Sequence, residues 1–432
     1  MSGRPDQDRP VTVLVAVRAP ADEAAAVTVL GTQQGVTVTR RCAELPELLA
    51  SAEAGAGTAA VVSGDLPGLD REAVARLRTA GLRVVAVEDR ATPGERLAAL
   101  GCDVVVAAGD ADELVAAVRG GVPDVGAPPV PVRERAPGAV VAVWGPQGSP
   151  GRTTTAIELA AALADVGAAP ARRSLLRRRR PAVRPHDADT AVLVDADTYA
   201  SSVTSRLGLL DDAPGLAAAA RAAGQGVLDL VTLARHSPVV LPGVRVLTGI
   251  TRAARWPELP PASLDVVLER CRELATWTVV DCGPVLEADE LIMYDTRAPQ
   301  RNGATLCALQ AADVVVVVGG ADPVGVQRLV RGLEDLRDAS VPVPAARVVV
   351  VNRVRDAVAG RHAGTHVRDA LARYAGVEDV HLVPDDPVAL DAALLSGRVL
   401  AECAPASPAR AGFQALAERV REAVPQPVPA LS

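Results

Sequence analysis

The sequence contains no lysine at all, so every strong cation in the chain is an arginine. Aromatic residues are nearly as scarce, at 2% of the 432 residues. A platform for single-stranded nucleic acid needs aromatic faces on which bases stack, so this composition argues against one. Hydrophobic residues nevertheless make up 49% of the chain, which is long enough to bury a sizeable core. That core must consist mainly of valine, leucine and alanine.

Cysteine motifs, targeting segments and long apolar runs are missing as well. The six cysteines form no CxxC pair and have no histidine-rich partner segment, which disfavours a zinc site or a disulfide framework. The opening Met-Ser-Gly-Arg-Pro-Asp lacks the apolar run of a signal peptide, and no stretch approaches the roughly 20 apolar residues of a membrane span. The net charge of -7 disfavours a uniformly basic surface for DNA or anionic lipid. Together these absences predict a cytoplasmic protein.

Two stretches of the chain alternate short apolar strands with amphipathic helical segments. Residues 1–122 carry five such strands, which predict a receiver-like, flavodoxin-like parallel sheet. A proline-rich linker is expected at 123–138, and a second doubly wound domain at 139–424 with a mainly parallel sheet. The last residues, 425–432, have the composition of a loose tail. The predicted fold class is therefore α/β with two doubly wound domains. The strands are expected at 11–17, 36–39, 59–62, 82–87, 103–107, 139–144, 190–194, 244–248, 277–280, 313–318, 347–351 and 381–383.

A glycine-rich turn joins the strand at 139–144 to a helical segment at Ala156–Leu163. Glycines allow successive backbone N–H groups to curl around a phosphate, and the start of a helix adds partial positive charge. The predicted phosphate-binding residues are Gly148, Ser149, Gly151, Arg152, Thr153 and Thr154. In this pattern Arg152 reaches the β- and γ-phosphates, Thr153 holds Mg²⁺ and Thr154 faces the α-phosphate. An ordinary glycine turn leading into a helix is the alternative interpretation of this loop taken alone.

Carboxylates follow two of the later strands. Asp195 and Asp197 end the strand at 190–194, and Asp281 ends the strand at 277–280 before a Gly-Pro turn. Asp195 is a candidate for orienting the Mg²⁺ shell and Asp281 for binding the ion through water, while Asp197 is placed to polarise an attacking water. Each aspartate alone is also explained as a strand-terminating cap. A glycine-rich loop followed in this order by two strands that end in aspartates is hard to obtain by chance.

Several segments between residues 139 and 400 resemble the ParA/MinD group of deviant-Walker P-loop ATPases, in particular its pilus-assembly branch, CpaE or TadZ, in actinobacterial form. The segments are VVAVWGPQGSPGRTT, VLVDADTYASSV, WTVVDCGP, RNGATLCALQAADVVVVVGGADPVGVQRL, VVVNRV and VPDDPVALDAALLSGRVL. The resemblance implies ATP and Mg²⁺ as ligands and an ATP-dependent homodimer with nucleotide between the subunits. It also implies that Asn352 and Arg353 contact adenine, and that Pro384 and Asp385 close over the base.

The phosphate loop departs from the family pattern at three positions. The family's additional lysine, which reaches the partner's nucleotide, falls at the neutral Gln147. Arg152 keeps the charge of the loop lysine but is planar and bulkier, so the exchange is not conservative. Pro150 removes one backbone N–H from a loop whose purpose is to offer them. We therefore expect nucleotide binding with altered affinity and slow hydrolysis, with Arg152 and Asp197 as the catalytic candidates.

The segment Ser63-Gly-Asp-Leu-Pro-Gly-Leu-Asp resembles the loop that follows the third strand of a response-regulator receiver. In that register Ser63 replaces the phospho-acceptor aspartate. The acidic pair expected after the first strand is absent, since that strand ends in Val17-Arg18-Ala19, and the receiver lysine falls on Ala107. Aspartyl phosphorylation with Mg²⁺ needs a carboxylate cluster. The resemblance therefore implies a pseudo-receiver that docks partners, as CpaE/TadZ-like proteins carry.

An arginine-rich insertion at 171–186 and the family resemblance leave several functions open. The insertion holds seven arginines and is interpreted as a solvated segment, with nucleic acid or an anionic membrane as the less favoured partner. The leading hypothesis is a nucleotide-switched localisation or assembly factor for Flp/Tad-type pilus or secretion machinery, reached through the receiver-like domain. Such a factor would be cytoplasmic, with peripheral recruitment to the inner membrane face or a pole. The alternatives are a ParA-type chromosome-partitioning or septum-positioning ATPase, and a nucleotide-binding pseudo-ATPase scaffold.

Overall fold

The computed structural model describes residues 10–89, 92–120, 137–148, 151–166, 190–209, 214–287 and 300–424. The chain divides into two compact units, one of residues 1–134 with 221–228 and the other of residues 135–220 with 229–432. Nearly all of the predicted linker, the arginine-rich insertion and the predicted tail lie outside the described residues. Within those residues, no helix is long and apolar enough to cross a membrane.

The first unit is built on a five-stranded sheet in which neighbouring strands pair in parallel. Its strands are β1 (Val11–Ala16), β2 (Val36–Arg41), β3 (Ala59–Ser63), β4 (Arg83–Val87) and β5 (Val104–Val106). Its helices are α1 (Pro20–Gly31), α2 (Leu45–Glu53), α3 (Arg71–Thr79), α4 (Gly94–Ala99) and α5 (Ala111–Val118). The strand order β2-β1-β3-β4-β5 is that of flavodoxin-like sheets. The order agrees with the predicted class; a receiver-like role for this unit stays a prediction.

Both faces of this sheet are covered, as the period of two along a strand requires. In β1, Leu14 and Ala16 belong to one buried cluster, whereas Val13 and Val15 belong to a second cluster on the other face. A strand buried on both faces reads as a continuous apolar run. The valine-rich strands of this sequence are therefore explained by helices on either side of the sheet.

The second unit is built on an eight-stranded sheet. Its strands are β6 (Ala139–Trp144), β7 (Ala191–Ala196), β8 (Val239–Leu241), β9 (Val244–Leu247), β10 (Trp277–Cys282), β11 (Val314–Gly320), β12 (Arg347–Val354) and β13 (Val380–Pro384). The order is β13-β12-β11-β6-β10-β7-β9-β8. Only β8 pairs antiparallel, with β9, among the strand pairs that the structure describes. The prediction of a mainly parallel sheet is confirmed.

The helices along residues 151–424 connect these strands or follow the last of them. They are α6 (Arg152–Leu163), α7 (Val203–Arg206), α8 (Gly215–Gly224), α9 (Leu230–His236), α10 (Pro261–Leu274), α11 (Gly303–Ala311), α12 (Pro323–Arg337), α13 (Asp356–Ala359), α14 (Ala363–Ala375), α15 (Pro387–Ser396), α16 (Leu400–Cys403) and α17 (Pro408–Ala423), with a 3-10 helix at Ala253–Glu258. Val143 of β6, Leu159 of α6 and Phe413 of α17 belong to one buried cluster. Burial of each such side chain contributes roughly 2 kcal/mol to folding.

The course of the chain through this sheet reverses around β6. From β6 the chain proceeds to β7 on one side, and after β10 it proceeds to β11 on the other side. In open parallel sheets, ligands bind at such a switch point, in the crevice beyond the carboxyl ends of the strands. The predicted phosphate loop follows β6 directly. The fold therefore places the loop at the position where a parallel sheet most readily forms a binding site.

Candidate phosphate-binding site

The loop between β6 and α6 depends on glycine at two described positions. Gly148 and Gly151 have φ angles of 69° and 99°, in the left-handed region. A Cβ atom on Gly148 would overlap the Arg328 guanidinium, and one on Gly151 would overlap the Asn352 side-chain amide. Both glycines are therefore required by conformation, and Gly151 is also required by space because Asn352 is buried. Ser149 and Pro150 lie outside the described residues.

Helix α6 begins directly after Gly151, at Arg152, four residues before the predicted helical segment. Gly151 occupies the N-cap, so no side chain caps the helix. The first N–H groups of a helix have no partner within it, and together with the helix dipole they favour an anion. The loop cation Arg152 and the hydroxyl of Thr153 thus stand in the first turn of a helix with an uncapped start. Thr154 follows, largely buried.

Arg152 turns back onto its own loop. Its Nη1 donates to the carbonyl oxygens of Gly145 and Pro146, at 3.0 and 3.2 Å. Its Nη2 lies 3.5 Å from Oδ2 of Asp197. The Arg152 Nε is buried without a hydrogen-bond partner among the described residues. The loop cation is therefore partly engaged with carbonyl groups, while one of its donors is left for another acceptor.

Asp281 is the most unusual polar group of the site. It lies in β10, paired in register with Val143 of β6 and with Asp195 of β7, and it is fully buried. Neither carboxylate oxygen has a hydrogen-bond partner of normal geometry within the described part of the chain. Burial raises the pKa of Asp281 well above its usual value, and the charge of Asp195 adds to the rise, whereas the neighbouring Thr153 hydroxyl opposes it. A buried carboxylate without a partner is costly, which marks a place for a cation.

Asp195 is equally buried, but the loop that follows β7 satisfies it. Its Oδ2 accepts hydrogen bonds from the Ser201 hydroxyl at 2.8 Å and from the backbone N–H groups of Ser202 and Val203 at 3.1 and 3.0 Å. Its Oδ1 accepts the N–H of Asp197 at 3.3 Å. Burial is the main reason that the pKa of Asp195 rises to about 6. The structure thus places Asp195 as a support for the loop, and a metal role for it stays a prediction.

Asp197 divides its two oxygens between the backbone and the loop cation. Oδ1 accepts the N–H groups of Tyr199 and Ala200, at 2.9 and 3.1 Å, while Oδ2 faces Arg152. A Cβ on Gly283, after β10, would stand 3.3 Å from Oδ1, so the Gly-Pro turn passes close to this carboxylate. The structure therefore brings Asp197, Arg152 and the turn after Asp281 together.

The four residues predicted to contact the base lie at the carboxyl ends of β12 and β13. Asn352 is buried, and its amide packs on Gly151 of the loop, while Arg353 is exposed with a left-handed φ of 58°. Pro384 ends β13, and Asp385 donates its N–H to the Val354 carbonyl at 3.1 Å. All four therefore lie at the carboxyl edge of the sheet. Their contact with a base stays a prediction.

Sequence reasoning missed a second set of residues at this edge. The Tyr199 hydroxyl donates to Oδ1 of Asn302 at 2.7 Å, and the Arg301 guanidinium lies 4.0 Å from the centre of the Tyr199 ring. These contacts tie the loop after β7 to the start of α11. Arg328 of α12 is a further cation against the loop. No sequence motif identifies it, since its position depends on how α12 packs.

The residues present fit a nucleotide with Mg²⁺. Mg²⁺ takes oxygen ligands, keeps several waters and is usually held by one or two carboxylates with phosphate oxygens. Asp281 offers unpartnered carboxylate oxygens, and the Thr153 hydroxyl lies beside it. Among the described residues no cluster of three or more His, Cys, Asp or Glu side chains could hold a metal ion. The donor set is therefore that of an ion completed by phosphate and water.

At the carboxyl ends of the strands in the first unit, the polar side chains contact one another. The Ser63 hydroxyl donates to Oδ1 of Asp65 at 2.8 Å and accepts the N–H of Arg18 at 3.0 Å. The Arg18 guanidinium lies 3.7 Å from the other oxygen of Asp65, in an exposed ion pair. These three residues satisfy one another, and a cation already stands beside the carboxylate.

Comparisons with known proteins give a likeness of fold. No family model and no curated protein matches the chain. The chain is similar to the cell-division ATPase MinD of Pyrococcus furiosus, at 18% identity and a TM-score of 0.47 over 66% of this chain and 99% of that one. It is also similar to a ParA-family ATPase of Chlorobium tepidum (15%, 0.48, 65% and 98%) and to the ATP complex of Cyanothece McdA (16%, 0.45, 68% and 100%). At these values the likeness assigns neither an activity nor residue roles to this chain.

Proposed function

We propose that the second unit binds ATP with Mg²⁺ at the loop between β6 and α6 and hydrolyses it slowly. The observation that carries this proposal is Asp281, which is buried beside Thr153 with no hydrogen bond of normal geometry to the described residues, at the uncapped start of α6. A helix start attracts the phosphates, and a carboxylate with no protein partner suits the divalent cation that accompanies them. Neither feature alone is a site, but α6 begins after the loop that follows β6, and Asp281 lies in the neighbouring strand β10, at the switch point of the sheet.

The roles of the residues follow from their contacts. Thr153 and Asp281 hold Mg²⁺, which neutralises charge on the phosphates when bound. Arg152 moves from the carbonyls of Gly145 and Pro146 to the terminal phosphates, and this exchange frees Asp197 from its ion pair. Asp197 then orients a water through Oδ2, since its Oδ1 is held by backbone N–H groups. Hydrolysis is slow because an arginine engaged with its own loop must first be released.

The biological role that we propose is a dimerisation-switched localisation or assembly factor for Flp/Tad-type pilus or secretion machinery. The support for this role is the set of sequence segments shared with the CpaE/TadZ branch, together with the flavodoxin-like strand order of the first unit. In this role the ATP-bound homodimer is the active form. The first unit docks the partner, because its Ser63 edge is already neutralised.

Binding and turnover of ATP test the proposal directly. Calorimetry with the full chain should give saturable binding of ATP that depends on Mg²⁺, and a sensitive phosphate-release assay should give slow turnover. Asp197→Ala should remove the turnover and keep the binding, because the residue orients water and does not hold nucleotide. The absence of binding at millimolar ATP·Mg²⁺ would overturn the proposal.

A nucleotide-binding scaffold without hydrolysis is the second candidate, and the engagement of Arg152 favours it. The guanidinium contacts two loop carbonyls and Asp197, so the resting loop is stabilised against rearrangement. The phosphate-release assay separates the two candidates. Equal background rates for the wild-type chain and Asp197→Ala, with ATP binding intact in both, would identify the scaffold.

A further inference from the structure

Helix α12 approaches the phosphate loop through a residue without a side chain. Gly332 packs on Pro146: a Cβ on Gly332 would stand 3.0 Å from both Cβ and Cγ of the proline ring. That spacing is tighter than ordinary van der Waals contact, so any side chain at position 332 would push the helix and the loop apart. Gly332 therefore permits close packing of α12 on the loop.

Arg328 precedes Gly332 by one helical turn, so both residues lie on the same face of α12. Its guanidinium occupies the space in which a Gly148 side chain would stand: Cζ of Arg328 is 2.9 Å from that Cβ position. Gly148 and Gln147 are both exposed, as is Arg328 itself. The guanidinium therefore lies at the open side of the loop, where solvent or a ligand reaches it.

Arg328 is less engaged in polar contacts than Arg152, the other cation at the loop. Within the described ranges Arg328 forms no hydrogen bond or ion pair, whereas Arg152 contacts two carbonyl oxygens and Asp197. Gln147, the neighbour of Gly148, brings no charge. A guanidinium presents a planar fork of N–H groups that matches the oxygens of a phosphate. Arg328 thus supplies N–H donors and positive charge beside Gly148, where the loop residue Gln147 carries no charge.

We propose that Arg328 is a phosphate-binding residue of this site, which contacts the terminal phosphate of a nucleoside triphosphate and supplies the charge that Gln147 lacks. This inference rests on the proposed nucleotide site. The phosphate belongs to a nucleotide in the same loop or to one held by a second copy of the chain, and the recognition chemistry is the same in both cases.

Affinities for ATP and ADP, each with Mg²⁺, test the assignment in the full chain. Arg328→Ala should weaken ATP binding about tenfold or more and leave ADP binding within about twofold, because only ATP carries the terminal phosphate. Arg328→Lys should recover part of the loss, since it keeps the charge but not the fork. Arg331→Ala is the matched control: it removes an exposed arginine from the same helix, at the groove between α12 and α14.

The outcomes separate this inference from the nucleotide site on which it rests. Equal ATP affinities for wild type and Arg328→Ala would overturn the role of Arg328 and leave the site standing. An equal loss in Arg331→Ala would also overturn it, since the effect would then be general electrostatics. Failure of the wild-type chain to bind ATP would instead remove the nucleotide site itself. Thermal unfolding of each variant confirms that these exposed substitutions leave the fold intact.

A mixing experiment identifies which nucleotide Arg328 contacts. Asp197→Ala chains bind ATP and keep Arg328 but do not turn ATP over, so they can lend Arg328 to a second copy. If adding them to Arg328→Ala chains restores turnover at low ATP, the phosphate contacted is the one held by the second copy. If turnover stays low in the mixture, Arg328 contacts the nucleotide of its own loop.

Discussion

The two sheets of this chain both present polar side chains at the carboxyl ends of their parallel strands, but among the described residues there only Asp281, in the second sheet, has both carboxylate oxygens buried without a hydrogen-bond partner of normal geometry. In the first unit, Ser63, Asp65 and Arg18 form a set of mutual contacts. In the part of the second unit that the structure describes, Asp281 is fully buried without a hydrogen bond of normal geometry, and the Nε of Arg152 has no partner. Because unsatisfied buried groups are costly, they persist where a ligand supplies the missing partner. The contrast favours a ligand site at the carboxyl ends of the strands in the second unit. In the first unit, the charged side chains at the corresponding place neutralise one another.

Removal of the loop cation should give the largest effect. We expect Arg152→Ala to weaken ATP·Mg²⁺ binding by about 100-fold or more, since truncation of one partner of a buried charge pair costs several kcal/mol. Nucleotide-dependent dimerisation should be abolished with it. Calorimetry and sedimentation with ATP measure the two effects. Arg18→Ala, at the edge of the first unit, is the control and should change neither. Unchanged ATP affinity and sedimentation in Arg152→Ala would refute the assigned role.

A carboxylate that is buried yet hydrogen-bonded should give a measurable pH dependence. Glu158 of α6 accepts the backbone N–H of Leu400 at 3.0 Å, and burial raises its pKa from 4.5 to about 7. Arg410 and Arg206 oppose the rise, and Glu402 adds to it. The folded state thus holds this proton more tightly than the unfolded state. The resulting stability is fully present below pH 4.5 and is lost as pH rises through about 7.

Glu158→Gln isolates this contribution. Glutamine keeps an oxygen for the Leu400 N–H but has no proton to lose. Between pH 5 and pH 8 the wild-type chain should lose up to roughly 3 kcal/mol more unfolding free energy than the variant does. Urea unfolding at several pH values measures the difference. Parallel pH profiles for the two chains would show that Glu158 ionises as readily in the folded state as in the unfolded state.

Neutralisation of Asp281 should stabilise the fold and remove Mg²⁺-dependent binding. Burial disfavours the ionised form of Asp281, so at a pH where this carboxyl is ionised Asp281→Asn should raise the unfolding free energy by about 1–2 kcal/mol. The melting temperature should rise by a few degrees, roughly 2–4 °C for each kcal/mol in a domain of this size. Asp65→Asn, at the other edge, should lower stability slightly, since it weakens the contacts with Ser63 and Arg18. Equal melting shifts of one sign in both variants would contradict the comparison.

The sequence predicted the sheets and the loop because their signals are local. Valine-rich runs identify buried strands, and the spacing of Gly148, Gly151 and Arg152 identifies a strand–loop–helix unit. The short antiparallel strand β8 was missed, since three residues before a Pro-Gly turn carry almost no periodicity. The start of α6 was predicted four residues late, because the polar run from Arg152 hides a helix that begins at the left-handed Gly151.

The different roles of the carboxylates at the second edge depend on tertiary contacts and could not be predicted. Asp195 and Asp281 each end an apolar strand, so in the sequence they look equivalent. The structure distinguishes them through the loop after β7, whose donors satisfy Asp195 and do not reach Asp281. Arg328 is similarly one arginine among many until Gly332 brings α12 against the loop.

The smallest expected effect concerns the first edge, where an acceptor aspartate should not restore phosphorylation. In Ser63→Asp the new carboxylate stands beside Asp65 and Arg18, and the chain after β1 offers Val17-Arg18-Ala19 in place of an acidic pair. Phosphorylation at this position also requires a bound Mg²⁺, and the Arg18 guanidinium already lies beside the Asp65 carboxylate. Incubation with acetyl phosphate and Mg²⁺, followed by intact-mass measurement, should therefore show no acyl phosphate in the variant or the wild type. A phosphorylated Ser63→Asp chain would show that the site around Asp65 in the first unit can still bind Mg²⁺. The proposed difference between the first and second units would then be wrong for the first unit.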